Sequence, residues 1–164
     1  MSTLYMDPNG DNSIEWDNST ELTHWEAISQ LVRQPVEPNL FNYIDDTPPP
    51  TSHSDIFDLT NVAFSGTTSS LAIWVFGECP VQDISVDLYI DGSWQGVGII
   101  KAGGAGRPRW NSVNYPGLWS PEQCNASLMK IISVGGGAVW LATSWAGYVE
   151  ITFDPAPRSF SWIT

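Results

Sequence analysis

The stretch that decides the fold is Asp83-Ile84-Ser85-Val86-Asp87-Leu88-Tyr89-Ile90-Asp91-Gly92-Ser93-Trp94-Gln95-Gly96-Val97-Gly98-Ile99-Ile100. Ile84, Val86, Leu88 and Ile90 alternate with polar residues, the period of a strand with one buried and one wet face. Asp91-Gly92 supplies the positive φ angles of a type I′ hairpin turn, so residues 93–100 return antiparallel. With a two-residue loop Ile90 pairs with Ser93, Tyr89 with Trp94, Val86 with Val97 and Ile84 with Ile99. The apolar pairs then share one face and Tyr89–Trp94 takes the other. A bulge would invert this register.

Outward from the hairpin, Ser69 to Phe76, Leu128 to Val134, Gly137 to Thr143 and Gly147 to Phe153 are further strands, rich in β-branched and aromatic residues. Gly, Pro and Asn stretches separate them, and strands do not alternate with helices. The fold class is therefore all-β, an antiparallel, jelly-roll-like β-sandwich. Toward the front, Leu22, Trp25, Ile28 and Leu31/Val32 recur at helical spacing, which predicts one short helix over residues 22–32, ended by Pro35. The chain divides into an acidic, loop-rich N-terminal arm with first strands (1–60), a sandwich core (61–154) and a C-terminal arm (155–164), all one domain.

The 164 residues carry a formal charge of −12, distributed unevenly. Residues 1–60 hold eleven acids and one base, Arg33, for −10; residues 61–164 hold seven acids and five bases, for −2. Nucleic acid is excluded as a partner, because gripping phosphates needs clustered Lys and Arg. No apolar run approaches the ~18–20 residues that span a bilayer, and Met1 to Asp7 lacks the basic-then-apolar order of a secretory signal. The front third is instead a solvated acidic face, a surface that docks on a basic partner, or a cation site.

Chemistry-bearing motifs are few. Cys79 and Cys124 form no Cys-x-x-Cys unit, and His24 and His53 lie too far apart to complete a zinc set, so two free buried thiols are expected. Asp7-Pro-Asn9-Gly-Asp11-Asn-Ser-Ile-Glu15 fails the calcium-loop template and reads as a turn leading into a strand from Ser13 to Asp17. Gly103-Gly104-Ala105-Gly106-Arg107 lacks the Lys-Ser/Thr ending of a phosphate loop, and no Gly-x-Ser-x-Gly elbow is present. Neither catalysis nor a cofactor is expected.

The tryptophans carry more. Trp16, Trp25, Trp74 and Trp140 read as packing residues, whereas Trp94, Trp110, Trp119 and Trp145 lie beside Gly, Pro, Ser or Asn and are expected to include exposed rings. Exposed aromatics suit two tasks. One is a protein interface, here Arg107, Arg109 and Trp110 near Tyr115 as a cation–π-capable cluster, with Trp119 and with Phe160 and Trp162 of the tail as further interface candidates. The other is stacking on sugar rings, for which Trp94, Trp110 and Trp119 are the candidates.

Asp7 to Trp16, then Thr23-His24-Trp25-Glu26-Ala27-Ile28, Pro38 and Asn42-Tyr43-Ile44, together with Tyr148-Val-Glu-Ile-Thr-Phe-Asp-Pro155, resemble the opening and closing segments of small jelly-roll proteins of tailed bacteriophage particles. The match touches roughly a third of the chain and departs at Ser29-Gln30, where such proteins carry Asp or Glu. It implies a non-enzymatic virion protein, foremost a capsid decoration (cement) protein that binds the major capsid protein as a homo-oligomer, a trimer by preference. The alternative is a carbohydrate-binding module or a fibre or tail component that binds glycans.

Overall fold

The computed structural model describes residues 1–18, 22–41, 43–46, 52–78, 84–100, 108–133 and 142–155. Twelve strands and two short helices follow in the order β1 (Ser2–Met6), β2 (Pro8–Ser13), β3 (Asp17–Asn18), α1 (His24–Ile28), β4 (Ile44–Asp46), β5 (Ser54–Leu59) and β6 (Thr68–Glu78). Then come β7 (Ile84–Ile90), β8 (Ser93–Trp94), β9 (Gly98–Ile100), β10 (Arg109–Pro116), α2 (Pro121–Asn125), β11 (Leu128–Ser133) and β12 (Ala142–Phe153). They form two antiparallel sheets. Sheet A runs β10-β6-β12-β4-β3 with β1 also on β12; sheet B runs β2-β5-β11-β7-β8 with β9 also on β7. The chain changes sheet at most connections, which gives the expected β-sandwich its jelly-roll character.

The core lies between the sheets. Leu71, Ile73 and Val75 of β6 and Val149 and Ile151 of β12 meet Phe57 of β5, Met129 and Ile131 of β11 and Ile84, Val86, Leu88 and Ile90 of β7, all fully buried. Each such side chain contributes about 1.5–3 kcal/mol over leaving it in water. Among the described residues no helix is long and apolar enough to cross a membrane.

The hairpin forms as read at its tip: Asp91 and Gly92 have φ of 53° and 77°, Tyr89 pairs with Trp94 and Ile90 with Ser93. Beyond the tip the register shifts by one residue, so that Val86 meets Gly98 and Ile84 meets Ile100. Gln95 N–H bonds to the Leu88 carbonyl, and the Asp87 carboxylate captures Gly96 N–H at 2.9 Å, with Gly96 at φ 115°. This bulge turns Val97 and Ile99 outward and Ile100 into the core. It also brings Gly98 against Val113 of the other sheet, where an added Cβ would stand 2.2 Å from a Val113 methyl carbon. The wet face expected for β7 is largely covered as well: Ser85 and Asp87 are both buried.

The front of the chain departs most from expectation. The stretch Asp7 to Asp11, read as a turn, mostly forms strand β2, bulged at Pro8/Gly10 and Asp11/Ser13. β1 joins sheet A and β2 joins sheet B, so the first strands of the segment 1–60 contribute to both layers. The helix is five residues long instead of eleven. Thr23 and Glu26 form a reciprocal capping box at its start, and the Asp11 carboxylate accepts His24 and Trp25 N–H. It stops at Ser29, two residues before Leu31 takes a left-handed φ of 52°. The second helix, α2, was not expected; Ser120 and Gln123 cap it reciprocally and Pro121 opens its first turn.

Five of the eleven acids of this segment are internal fasteners. Asp55, fully buried, accepts Glu15 N–H and Trp16 N–H at 2.7 and 2.9 Å and contacts His24 Nδ1 at 2.5 Å. Glu15 accepts Ser54 N–H, and Asp7 pairs with Arg33 at 2.8 Å. Asp7, Asp11, Glu15, Glu26 and Asp55 are thus tied within the chain, and the −10 of residues 1–60 overstates the acidic surface open to a docking partner.

Candidate functional site

Each sheet carries an aromatic assembly on its outer face, and the two are built differently. On sheet A the register places Tyr148 opposite Trp74, Ala146 opposite Phe76 and Trp110 opposite Phe76. Trp74 and Tyr148 stack at 6.3 Å between centroids, while Trp110 meets the edges of Phe76 at 5.4 Å and Tyr148 at 5.5 Å. Tyr5 from β1 adds a T-shaped contact with Tyr148. Residues 29–41 lie across part of this face as a strap. Arg33 places its guanidinium 4.7 Å from the Tyr5 ring and 4.4 Å from the Tyr148 ring, held there by Asp7. Val36 accepts the Trp110 indole N–H at 2.7 Å, and Gln30 and Asn39 bond to each other across the strap. Burial pushes the Tyr148 hydroxyl up to about 12.

On sheet B, Tyr89 and Trp94 form a half-buried T-shaped pair at 5.4 Å, and the Lys130 ammonium sits 3.6 Å from the Trp94 ring centre. Beside Tyr89 the hairpin tip faces α2 across an open recess of about 410 Å³, lined by Tyr89, Asp91, Gly92, Glu122, Gln123 and Ala126. Gln123 fixes the two walls together: its Nε2 donates to Asp91 Oδ1 at 2.8 Å, and its Oε1 accepts Ser120 N–H. The Glu122 carboxyl is held below the usual carboxylate range, first by the Ser120 side chain and then by the backbone. Asp91 and Glu122 are both exposed.

The residues singled out in the sequence do not assemble as expected. Tyr115 faces inward opposite Leu71, 5% exposed, with its hydroxyl donating to the Val86 carbonyl and its ionisation pushed upward by burial. Trp110 lies five positions earlier on the same strand and so on the other face; a strand's period of two separates the pair. Trp119 is 8% exposed in the core, held by two-way hydrogen bonding with Thr68. Tyr115 and Trp119 are therefore packing residues, which corrects the interface reading of both and the sugar-stacking reading of Trp119. Arg109 is exposed, and Trp110 is half-buried on the strapped face. Arg107, Phe160 and Trp162 lie outside the described residues.

Trp16 and Trp25 pack on the core as expected, whereas Trp74 stands on the outer face of sheet A instead of in the core. Cys124 is free and buried, its thiol pushed up to about 11 by that burial. Among the described residues no group of three or more His, Cys, Asp and Glu could hold a metal ion. Sequence reasoning missed Arg33 as a ring-stacking cation and missed the Glu122–Gln123 wall. The signal for the second was the Ser120-Pro-Glu-Gln123 capping pattern.

Neither a protein-family model nor a curated protein matches the chain. Solved structures similar to it include a Podospora anserina GH26-CBM35 β-(1,4)-mannanase at 16% identity and TM-score 0.36, covering 76% of this chain and 24% of that one. The catalytic domain of a GH87 α-1,3-glucanase aligns at 10% identity and TM-score 0.39, covering 96% of this chain and 29% of that one. The CBM36-1 domain of a multidomain xylanase from the hindgut metagenome of Trinervitermes trinervoides aligns at 13% identity and TM-score 0.35, covering 94% and 98% of the two chains. The chain thus spans about a quarter of the mannanase and well under a third of the glucanase. At these scores nothing about the site is carried over from them.

Proposed function

We propose that the protein is a non-catalytic glycan-binding β-sandwich whose site is the recess beside Tyr89. The observation that carries this reading is the union of an accessible aromatic ring with fixed polar groups: Tyr89 beside Asp91, Glu122 and Gln123 in one open recess. A pyranose presents a C–H face that an aromatic ring covers and a rim of hydroxyls that carboxylates and amides bind. The Gln123–Asp91 bond fixes the turn against α2 before any ligand arrives, which lowers the ordering cost of binding. Two carboxylates at a sugar site also raise the question of hydrolysis. A glycosidase needs one carboxyl kept protonated by a raised pKa, and Glu122, lowered first by the Ser120 side chain, does not fit that acid role.

The test is a glycan array followed by calorimetric titration of any hit. Binding lost by tenfold or more in Tyr89→Ala, with the melting temperature moved by no more than a degree or two, is the expected result. An array without hits, or full binding by Tyr89→Ala, overturns the reading.

A second reading, a homo-oligomeric structural protein of a phage particle, draws support from the strap. Leu31, Val36, Leu40 and Phe41 are 72%, 58%, 45% and 84% exposed within the stretch 31–41, a concentration that suits contact with another protein subunit. Native mass measurement and cosedimentation with expanded capsid shells test it. A monomer that leaves shells unbound removes it.

A further inference from the structure

Resting on the glycan-binding reading, we infer that the recess selects basic sugars, hexosamine units with a free protonated amine, over neutral sugars and against uronates. Among the described residues the charge of its lining has one sign: Asp91 and Glu122 are carboxylates, and the other described lining residues are Tyr89, Gly92, Gln123 and Ala126. Among the described residues of the strands of sheet B the one base is Lys130, and its ammonium lies on the Trp94 ring. The carboxylates come from opposite walls, one on the hairpin tip and one on α2, so a sugar seated on Tyr89 meets negative charge from both.

Each carboxylate is also fixed by the chain itself. Gln123 Nε2 donates to one oxygen of Asp91, and the Glu122 carboxyl is held below the usual carboxylate range, first by the Ser120 side chain. The field of the whole molecule acts in the same direction, because a formal charge of −12 draws a cationic polymer in and repels an anionic one. Exposed ion pairs are individually weak, so two of them with this long-range attraction should separate an amine from its acetylated counterpart by about tenfold.

The experiment titrates the intact protein by calorimetry with three oligomers of equal length: glucosamine, N-acetylglucosamine and galacturonate, at pH 6 in low and in 1 M salt. The expected outcome is glucosamine binding about tenfold tighter than the N-acetyl form at low salt, and no galacturonate binding. The preference should vanish in 1 M salt and in the Asp91→Asn/Glu122→Gln double variant, which keeps the turn because Asn tolerates the positive φ of position 91. Equal or tighter binding of the N-acetyl oligomer, galacturonate binding, or a preference retained by the double variant overturns the charge selection alone. Silence from all three oligomers and from a broad glycan array overturns the glycan-binding reading beneath it.

Discussion

The outer faces of the two sheets use the same residue types to opposite ends. On sheet A, Trp74, Phe76, Trp110 and Tyr148 lock together by stacking and edge contacts and receive a strap, with Arg33 against Tyr148 and Tyr5 and Trp110 hydrogen-bonded to Val36. On sheet B, Tyr89 and Trp94 stay half-buried beside an open recess, with a single cation on one ring. What separates them is coverage. An aromatic face that the chain itself closes becomes a second small core, in which Phe76 and Ala146 are buried beneath Val32, Tyr43 and Trp110. One that the chain leaves open remains available to a ligand. Aromatic content alone does not mark a binding site; the neighbouring main chain decides.

The sharpest test of that division truncates one tyrosine on each face. Tyr148 is 1% exposed and touches Tyr5, Trp74, Trp110 and Arg33. Tyr148→Ala should cost about 3–5 kcal/mol, as large aromatic truncations in cores do. For a chain of this size that is a fall of roughly 10 °C in melting temperature. Tyr89→Ala should move the melting temperature by only a degree or two while removing ligand binding. Differential scanning calorimetry of the two variants decides the matter. Comparable losses of stability would mean that both faces are structural.

Alkaline titration gives a smaller effect with a definite sign. Tyr148 is raised to about 12 by burial from an ordinary value near 10, and Cys124 to about 11 from near 9. The folded state therefore holds these protons where the unfolded chain has released them. Their contribution to stability is fully present below the unfolded values and is lost as pH rises through the folded ones. Denaturation midpoints should be level up to about pH 9 and fall progressively from there toward pH 12. Tyr148→Phe should lessen the part of that fall above pH 10. An unchanged slope in the variant would show that the strapped face does not shield the hydroxyl.

Legibility in the sequence followed how local the cause was. The β7–β8 turn was readable because Asp91-Gly92 carries its own backbone preference, and the Tyr89–Trp94 pair came with it. The register beyond was not, because the bulge depends on the Asp87 carboxylate reaching Gly96 N–H. The front was misread for a similar reason. Asp7, Asp11 and Asp55 look like surface charge until Arg33, the start of α1 and His24 are brought to them from 13 to 31 positions away. Tyr115 and Trp110 could have been separated by counting alone, since an odd spacing on a strand puts two residues on opposite faces. The recess was hidden because its walls, Asp91 and Glu122–Gln123, are some thirty positions apart and meet only through the sheet.

Lys130 supplies the finest test of the contrast. Its ammonium lies 3.6 Å from the centre of the Trp94 ring, so it occupies one indole face while Tyr89 approaches Trp94 at a steep angle. A cation–π contact at a partly exposed site contributes about 0.5–1 kcal/mol, far less than the interlocked rings of sheet A. Lys130→Ala should therefore lower stability by no more than that, measured by urea denaturation. It should also make Trp94 emission more accessible to iodide, relative to a Trp94→Phe control. Because the substitution removes the base from this sheet and leaves Tyr89, Asp91 and Glu122 untouched, binding of an amino sugar should hold or tighten. Weakened binding would place the sugar on Lys130 and Trp94 rather than in the recess, and would move the open site across the hairpin from Tyr89 to its paired residue.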